Sequence, residues 1–231
     1  MIRFSERIME TETIDPLWKK YSEISPVTPI SAVEARSFWD NMFSKPIETK
    51  SITEEDLQRD IYGRSEEEFL FDFDASDQEI RLVLEKFEDE SWDYLSEAEK
   101  EEVSQDLLQV IAEKLGIERV PVIEFYESHP NDCGAFNPNK NVVSINRNNF
   151  DDPGEIIDTI AHEMRHAYQF QRANNPENYM DLLYAYNFEN YIVPYAAEDG
   201  YVNFMDYQDQ LIEAEARAFA SMFRMEDASY E

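Results

Sequence analysis

One helix in the second half of the chain constrains the fold more than any other segment. Asp152-Pro153-Gly154-Glu155 is typical of a helix start, with Asp152 as N-cap, Pro153 in the first helical position and Glu155 closing a capping-box-like pair. The residues that follow are apolar around much of the helix, namely Ile156, Ile157, Ile160, Ala161, Met164, Ala167, Tyr168 and Phe170. Such a helix is expected to be deeply buried. Any fold that buries it must also find partners for the polar side chains it carries.

Those polar side chains form the run His162-Glu163-Met164-Arg165-His166. At positions i and i+4 the two histidines share one helix face, so both imidazoles can reach one metal ion. Glu163 follows the first histidine directly, where it can take a proton from zinc-bound water. The pattern predicts a Zn²⁺ site with His162 and His166 as ligands and Glu163 as the catalytic residue. The alternative is an ordinary amphipathic helix whose histidines are solvated or satisfied in the core.

A catalytic zinc usually has three protein ligands and one water, so a third ligand is expected elsewhere. His129 is the only other histidine, but it lies in the turn-like stretch His129-Pro130-Asn131-Asp132. The better candidate is Glu213, in a second helix predicted over residues 207–225. It borders the apolar stripe of that helix, beside alanines that allow two helices to approach closely. Glu215 points away from this face and is the weaker candidate.

The two predicted helices together resemble the gluzincin group of zinc metallopeptidases. The run Glu213-Ala214-Glu215-Ala216-Arg217-Ala218-Phe219-Ala220 is similar to the Glu-x-x-Ala-x-x-Phe-Ala stretch of ImmA/IrrE-type peptidases and of minimal gluzincin domains. The resemblance implies that Glu213 is the third zinc ligand. Arg217 stands where many gluzincins place Asp or Asn, so the group that orients a ligand histidine is expected elsewhere or is missing. The long interval between His166 and Glu213 implies an insertion.

The same resemblance implies an α+β, zincin-like fold that is mostly helical, with a small sheet before the HExxH helix. Residues 120–126 and 141–146 are predicted to be strands, separated by a turn-rich stretch that contains Asp132, Gly134 and Asn137. In zincin-like folds an edge strand pairs with an extended peptide substrate. Residues 141–145 or 134–136 are the candidates for that edge, and a plain structural hairpin is the alternative.

The chain is predicted to divide near residue 75. Residues 1–75 contain scattered prolines and two short predicted helices, at 32–43 and 54–62, without the apolar periodicity of a core. We expect a helical and extended N-terminal segment that packs on a main domain of residues 76–231. Within that domain Ser96-Glu97-Ala98-Glu99 predicts a capping box that opens a long helix, and Gly116 predicts its end.

Residues 174–206, between the two predicted ligand helices, are rich in tyrosine and asparagine. Aromatic rings with polar tips suit a lid over a substrate, and they also suit a partly buried helical insertion, which we favour. A donor near the zinc is expected to stabilise the oxyanion of an acyl-transfer reaction. Tyr168, Arg165 and His129 are candidates, none of them preferred.

The formal charge is −31, from 51 acidic and 20 basic residues. Because such a surface repels nucleic acid, we expect no direct nucleic-acid binding, and the charge favours basic partners or substrates. Solubility alone explains the charge equally well. Cys133 is the sole cysteine, so no intrachain disulfide can form. No apolar signal or membrane-spanning stretch is apparent, and we expect a soluble cytoplasmic protein, although export without a signal peptide would leave no trace.

The sequence thus predicts a zinc-dependent peptidase that acts on a protein or peptide substrate. Two alternatives stay open. The second interpretation is an acidic protein-interaction module, such as a nucleic-acid mimic that binds basic partners. The third interpretation is a degenerate peptidase fold that binds metal only structurally.

Overall fold

The computed structural model describes residues 52–128, 133–193 and 203–224. Within them the protein has a mixed α+β fold, mostly helical with one small sheet, as the sequence predicts. The predicted helix at 32–43, the stretch His129–Asp132 and the part of the tyrosine-rich segment at 194–202 lie outside the described residues.

The described helices and strands are, in chain order, α1 (Glu54–Ile61), α2 (Gln78–Leu84), α3 (Asp89–Trp92), α4 (Glu97–Leu115), β1 (Val122–Tyr126), β2 (Gly134–Asn137), β3 (Val142–Asn146), α5 (Pro153–Asn174), α6 (Tyr179–Glu189), α7 (Phe204–Gln208) and α8 (Leu211–Ser221). Three short 3₁₀ helices stand between them at Glu66–Glu68, Glu85–Phe87 and Arg147–Asn149.

The predicted ends of α4 and the predicted start of α5 are confirmed. At α4 the Ser96 side chain accepts a hydrogen bond from the Glu99 backbone, while the Glu99 carboxylate accepts one from the Ser96 N–H. Gly116 ends the helix with a left-handed φ of 67°, a conformation that costs glycine little. At α5 the Asp152 carboxylate accepts a hydrogen bond from the Glu155 N–H at 3.0 Å. These caps satisfy donors and acceptors that a helix end leaves without intrahelical partners.

The sheet has the strand order β1-β3-β2, in which β1 is parallel and β2 antiparallel to β3. The two predicted strands are confirmed, but the stretch predicted as a turn is partly wrong because residues 134–137 form β2. The turn is shorter and follows the strand: the Asn137 side chain accepts hydrogen bonds from the N–H groups of Asn139 and Lys140. Asn141 then takes a left-handed φ of 57° before β3 begins.

The strand order separates the two candidates for an edge strand. Strand β3 is paired on both sides, so residues 142–145 are not an edge and that candidate is wrong. Strand β2 pairs only with β3 in the described sheet and lies at its edge. Residues 134–136 therefore remain the candidate for pairing with an extended peptide.

The predicted helix over 207–225 is also partly wrong, because α7 ends at Gln208 and α8 begins at Leu211. At the break, the fully buried side chain of Gln210 donates to the Ile192 carbonyl at 2.9 Å and accepts from the Ile192 N–H at 3.1 Å. Pairing with another backbone segment in this way competes with continuation of the helix.

The chain divides into two compact units. One comprises Met1–Phe71 with Tyr168–Ala218, and the other Asp72–Ala167 with Phe219–Glu231. Since residues 1–51 lie outside the described part, the expected boundary near residue 75 stays a prediction. The first unit buries a cluster of apolar side chains from α1, α6 and α8, which includes Ile61, Met180, Leu183, Leu211 and Ile212.

The second unit buries residues of α2, α4, β3 and α5, which include Ile80, Leu107, Leu108, Ile111, Val143, Ile145, Ile156 and Ile160. Within it Trp92 stacks on Phe87 with ring centroids 4.8 Å apart. The Trp92 indole also donates to the Phe150 carbonyl at 2.7 Å, so its one polar atom is satisfied in the interior.

Close packing at Gly134 yields a stability prediction. A Cβ atom there would lie 2.5 Å from the Ser144 carbonyl oxygen and 2.6 Å from the Thr159 Cγ2 atom. We expect Gly134→Ala to lower the free energy of unfolding by about 1–3 kcal/mol, measured by urea denaturation, because two packed elements must separate. Gly154→Ala is the matched control: its Cβ would meet only the Asp152 carboxylate, at 3.3 Å. Equal losses in the two variants would contradict the prediction.

Candidate metal centre

Helix α5 places His162 and His166 on one face, as their spacing predicts. Their Nε2 atoms are 3.0 Å apart, and the rings meet edge to face with centroids 4.7 Å apart. His166 is 9% exposed, and His162 is partly buried. Both imidazoles thus direct the same ring nitrogen toward one point, which is the arrangement that two ligands of one ion require.

Glu213 completes a group of three. One ligand atom from each of His162, His166 and Glu213 lies within 4.8 Å of the other two. Two ligands at tetrahedral angles around zinc, with bonds of about 2.0–2.1 Å, are about 3.3–3.4 Å apart. The 3.0 Å between the two imidazole Nε2 atoms is close to that value. Two imidazoles and a carboxylate are also a donor set found in catalytic zinc sites.

Glu163 is buried and held by the sheet. Its Oε2 atom accepts a hydrogen bond from the Phe136 N–H at 2.7 Å. Phe136 belongs to the edge strand β2, so the backbone of that strand orients the carboxylate that follows the first histidine. The sequence contains no local signal for this contact, because 27 residues separate its two partners.

Glu213 is 1% exposed, and its carboxylate is held by a tyrosine. Its Oε1 atom accepts a hydrogen bond from the Tyr191 hydroxyl at 2.6 Å. Burial, together with the negative charge of Glu213, raises the pKa of the Tyr191 phenol well above its usual 10. The hydroxyl therefore keeps its proton at neutral pH and acts as the donor in this bond.

Glu215, the weaker candidate of the two glutamates, is bound differently. It too is 1% exposed, but its two oxygens accept hydrogen bonds from the Tyr184 hydroxyl at 2.8 Å and from the Gln169 amide at 2.7 Å. Gln169 also donates to the Ile212 carbonyl at 3.0 Å. These contacts give Glu215 a structural role between α5, α6 and α8, and the group of three ligands does not include it.

Arg217, which departs from the gluzincin pattern, contacts other parts of the chain. Its Nε atom donates to the Glu66 carboxylate at 2.7 Å, and its Nη2 atom donates to the Gln208 carbonyl at 2.7 Å. The guanidinium therefore ties α8 to the 3₁₀ helix at Glu66–Glu68 and to the end of α7. These contacts give Arg217 a structural role.

Two of the three candidates for an oxyanion donor, Arg165 and Tyr168, lie among the described residues. Arg165 is buried, with its guanidinium 5.4 Å from the centroid of the Phe219 ring, and Tyr168 packs against the apolar cluster of α1, α6 and α8. His129 lies outside the described residues. The role of each as an oxyanion donor stays a prediction.

The tyrosine-rich segment contains helix α6, with Tyr179 and Tyr184 buried. The prediction that this segment is helical and partly buried is therefore confirmed for residues 179–189. Sequence reasoning grouped Tyr191 with the other tyrosines of this segment and missed its contact with Glu213, since tyrosine content alone does not single out one position.

Comparison of the chain with protein-family models, with curated proteins and with solved structures found no match. Among the described residues, every helix is too short or too polar to cross a lipid bilayer.

The contact between Glu163 and Phe136 predicts how two substitutions affect folding. Glu163→Leu removes the acceptor of a buried N–H group, whereas the amide oxygen of Glu163→Gln still accepts. In metal-free protein we expect the Leu variant to lose about 1–3 kcal/mol more unfolding free energy than the Gln variant, measured by urea denaturation. If the two variants were equally stable, the hydrogen bond would not contribute to stability.

Proposed function

We propose that this protein is a zinc-dependent metallopeptidase with a zincin-like fold of the gluzincin type. The observation that carries the proposal is the group of three ligand atoms within 4.8 Å, supplied by His162, His166 and Glu213. A glutamate follows the first histidine directly, and both histidines lie on a buried helix that comes after a small sheet. This combination matches the ligand set, the general base and the order of elements that the sequence resemblance implies.

His162, His166 and Glu213 would hold Zn²⁺ with water in the fourth position. When bound, the ion would lower the pKa of that water to about 7 and polarise the scissile carbonyl. Glu163 would take the proton of the water as it attacks and later pass that proton to the leaving amine. The hydrogen bond from the Phe136 N–H supports this role, because it fixes the direction of the carboxylate before substrate arrives.

The substrate class we propose is an extended peptide that pairs with strand β2. Strand β2 lies at an edge of the described sheet, and its residue Phe136 donates to the Glu163 carboxylate. A peptide added to this edge would run beside the general base, and backbone hydrogen bonds would hold it without regard to its side chains. The formal charge of −31 favours basic substrates, because an acidic surface attracts them at long range.

The same charge favours a second candidate, an acidic interaction module that binds basic proteins without hydrolysing them. Zinc content separates the two proposals, since the interaction module needs no metal. A structural metal site in a degenerate peptidase would bind zinc and show no hydrolysis, so activity separates that third case.

Glu163→Gln tests the proposal by replacing one carboxylate oxygen with an amide group of similar size. We expect protein purified without added metal to contain about one zinc per chain, and Glu163→Gln to keep that zinc, because Glu163 is not a ligand. Cleavage of a peptide library by the variant should fall by at least about 10²–10⁴-fold, the usual contribution of a general base. Mass spectrometry of the cleaved peptides and elemental analysis are the measurements.

Two histidine variants control the metal analysis. His162→Ala should lose zinc, whereas His129→Ala should keep it, since His129 is the one histidine outside the predicted ligand set. Parent protein without zinc would refute the metal site. Parent protein with zinc but without cleavage would favour the degenerate site, and cleavage by Glu163→Gln at the parent rate would refute the mechanism.

A further inference from the structure

One oxygen of the Glu213 carboxylate accepts a hydrogen bond from a tyrosine. The Tyr191 hydroxyl donates to its Oε1 atom at 2.6 Å, a short bond of the kind that an ionised acceptor makes. The Tyr191 ring in turn meets the Tyr207 ring edge to face, with centroids 6.1 Å apart. Both the ring and the hydroxyl of Tyr191 are therefore fixed relative to α8.

Two buried side-chain amides link the backbone next to Tyr191 to the start of α8 by hydrogen bonds. Gln210 pairs with the N–H and carbonyl of Ile192 through both ends of its amide. The Asn187 side chain donates to Gln210 at 3.0 Å and accepts from the Ile212 N–H at 3.1 Å. Asn187 and Gln210 are both completely buried. One network thus joins the residue after Tyr191 to the residue before Glu213.

We infer that Tyr191 is a positioning residue for the proposed zinc: it occupies one oxygen of Glu213, so that the carboxylate gives the metal a single oxygen. The inference rests on the proposed function. A carboxylate that bound through both oxygens would take a second coordination position, and a four-coordinate site would then have none left for water. Tyr191 thereby preserves the open position on which hydrolysis depends.

Helix α8 contains a second glutamate with a tyrosine partner, which allows a comparison with Glu213. Two residues after Glu213, Glu215 accepts a hydrogen bond from the hydroxyl of a second tyrosine, Tyr184, at 2.8 Å. Both pairs join a tyrosine hydroxyl to a buried carboxylate of α8, but only Glu213 belongs to the group of three ligands. Loss of either hydroxyl removes one hydrogen bond to a carboxylate of α8, and we expect only the loss at Tyr191 to change metal binding.

The test compares Tyr191→Phe with Tyr184→Phe and with the parent protein. The zinc dissociation constant is measured by competition with a chromophoric chelator at neutral pH, and the folding of each metal-free variant by urea denaturation. We expect Tyr191→Phe to bind zinc about 10–100-fold more weakly, the usual effect of losing a partner of a metal ligand. Tyr184→Phe should bind zinc within about threefold of the parent, because its hydroxyl contacts no proposed ligand.

Cobalt(II) provides a second readout, because its visible absorption depends on the number and geometry of its ligands. We expect the spectrum of the cobalt-loaded protein to change in Tyr191→Phe and to stay the same in Tyr184→Phe. Equal zinc affinities and equal spectra for all three proteins would overturn the inference, as would equal weakening in the two variants. A parent protein that binds neither metal would instead refute the proposed function itself.

Discussion

Burial of a polar run on helix α5 is the constraint on which the rest of the structure depends. The helix is apolar enough to enter the interior, yet it carries Glu163, His166 and Gln169 there. Each buried polar group costs free energy unless it finds a partner. Glu163 finds one in the N–H of Phe136 on strand β2, and Gln169 finds two on helix α8. Several contacts of α5 thus serve to satisfy its own polar side chains.

The histidine pair is the part of this run whose geometry suits a cation. Two Nε2 atoms at 3.0 Å either share one proton or direct two lone pairs at a common ion. Glu213 adds a third ligand atom within 4.8 Å of those two, and three protein ligands are the number that a catalytic zinc site usually has. The proposal of a zinc peptidase rests on this group of three together with the buried carboxylate of Glu163.

Helix α8 holds two similar residues through different hydrogen-bond partners. Glu213 and Glu215 are two positions apart and equally buried. Glu215 has two neutral donors on neighbouring helices, which fix its carboxylate as part of the core. Glu213 has the hydroxyl of Tyr191, which fixes its direction. The difference between the two glutamates lies in their partners and not in their own sequence context.

The same distinction explains which features the sequence predicts. The cap at Ser96, the end at Gly116 and the start at Asp152 are local, since the residues that make them lie within a few positions of one another. Strand β2 was predicted only as one of two candidate edges within a turn-rich stretch, because its stability comes from pairing with β3 and because Gly134 and Asn137 are residues typical of turns. The break at Gln210 depends on a backbone segment 18 residues away.

The candidate site divides in the same way. Helical spacing brings His162 and His166 together, so the sequence alone places that pair. The choice of Glu213 over Glu215 needed the family resemblance as well as the apolar stripe. The contacts made by Phe136 and Tyr191 are long-range and carry no spacing signal, so only coordinates could reveal them.

The most direct test of this account is anomalous X-ray diffraction at the zinc absorption edge from crystals of the parent protein. The account predicts one zinc peak bonded to the Nε2 atoms of His162 and His166 and to a single Glu213 oxygen, at about 2.0–2.2 Å, with a water completing the tetrahedron. A peak elsewhere in the molecule, or a fourth protein side chain in place of the water, would contradict it.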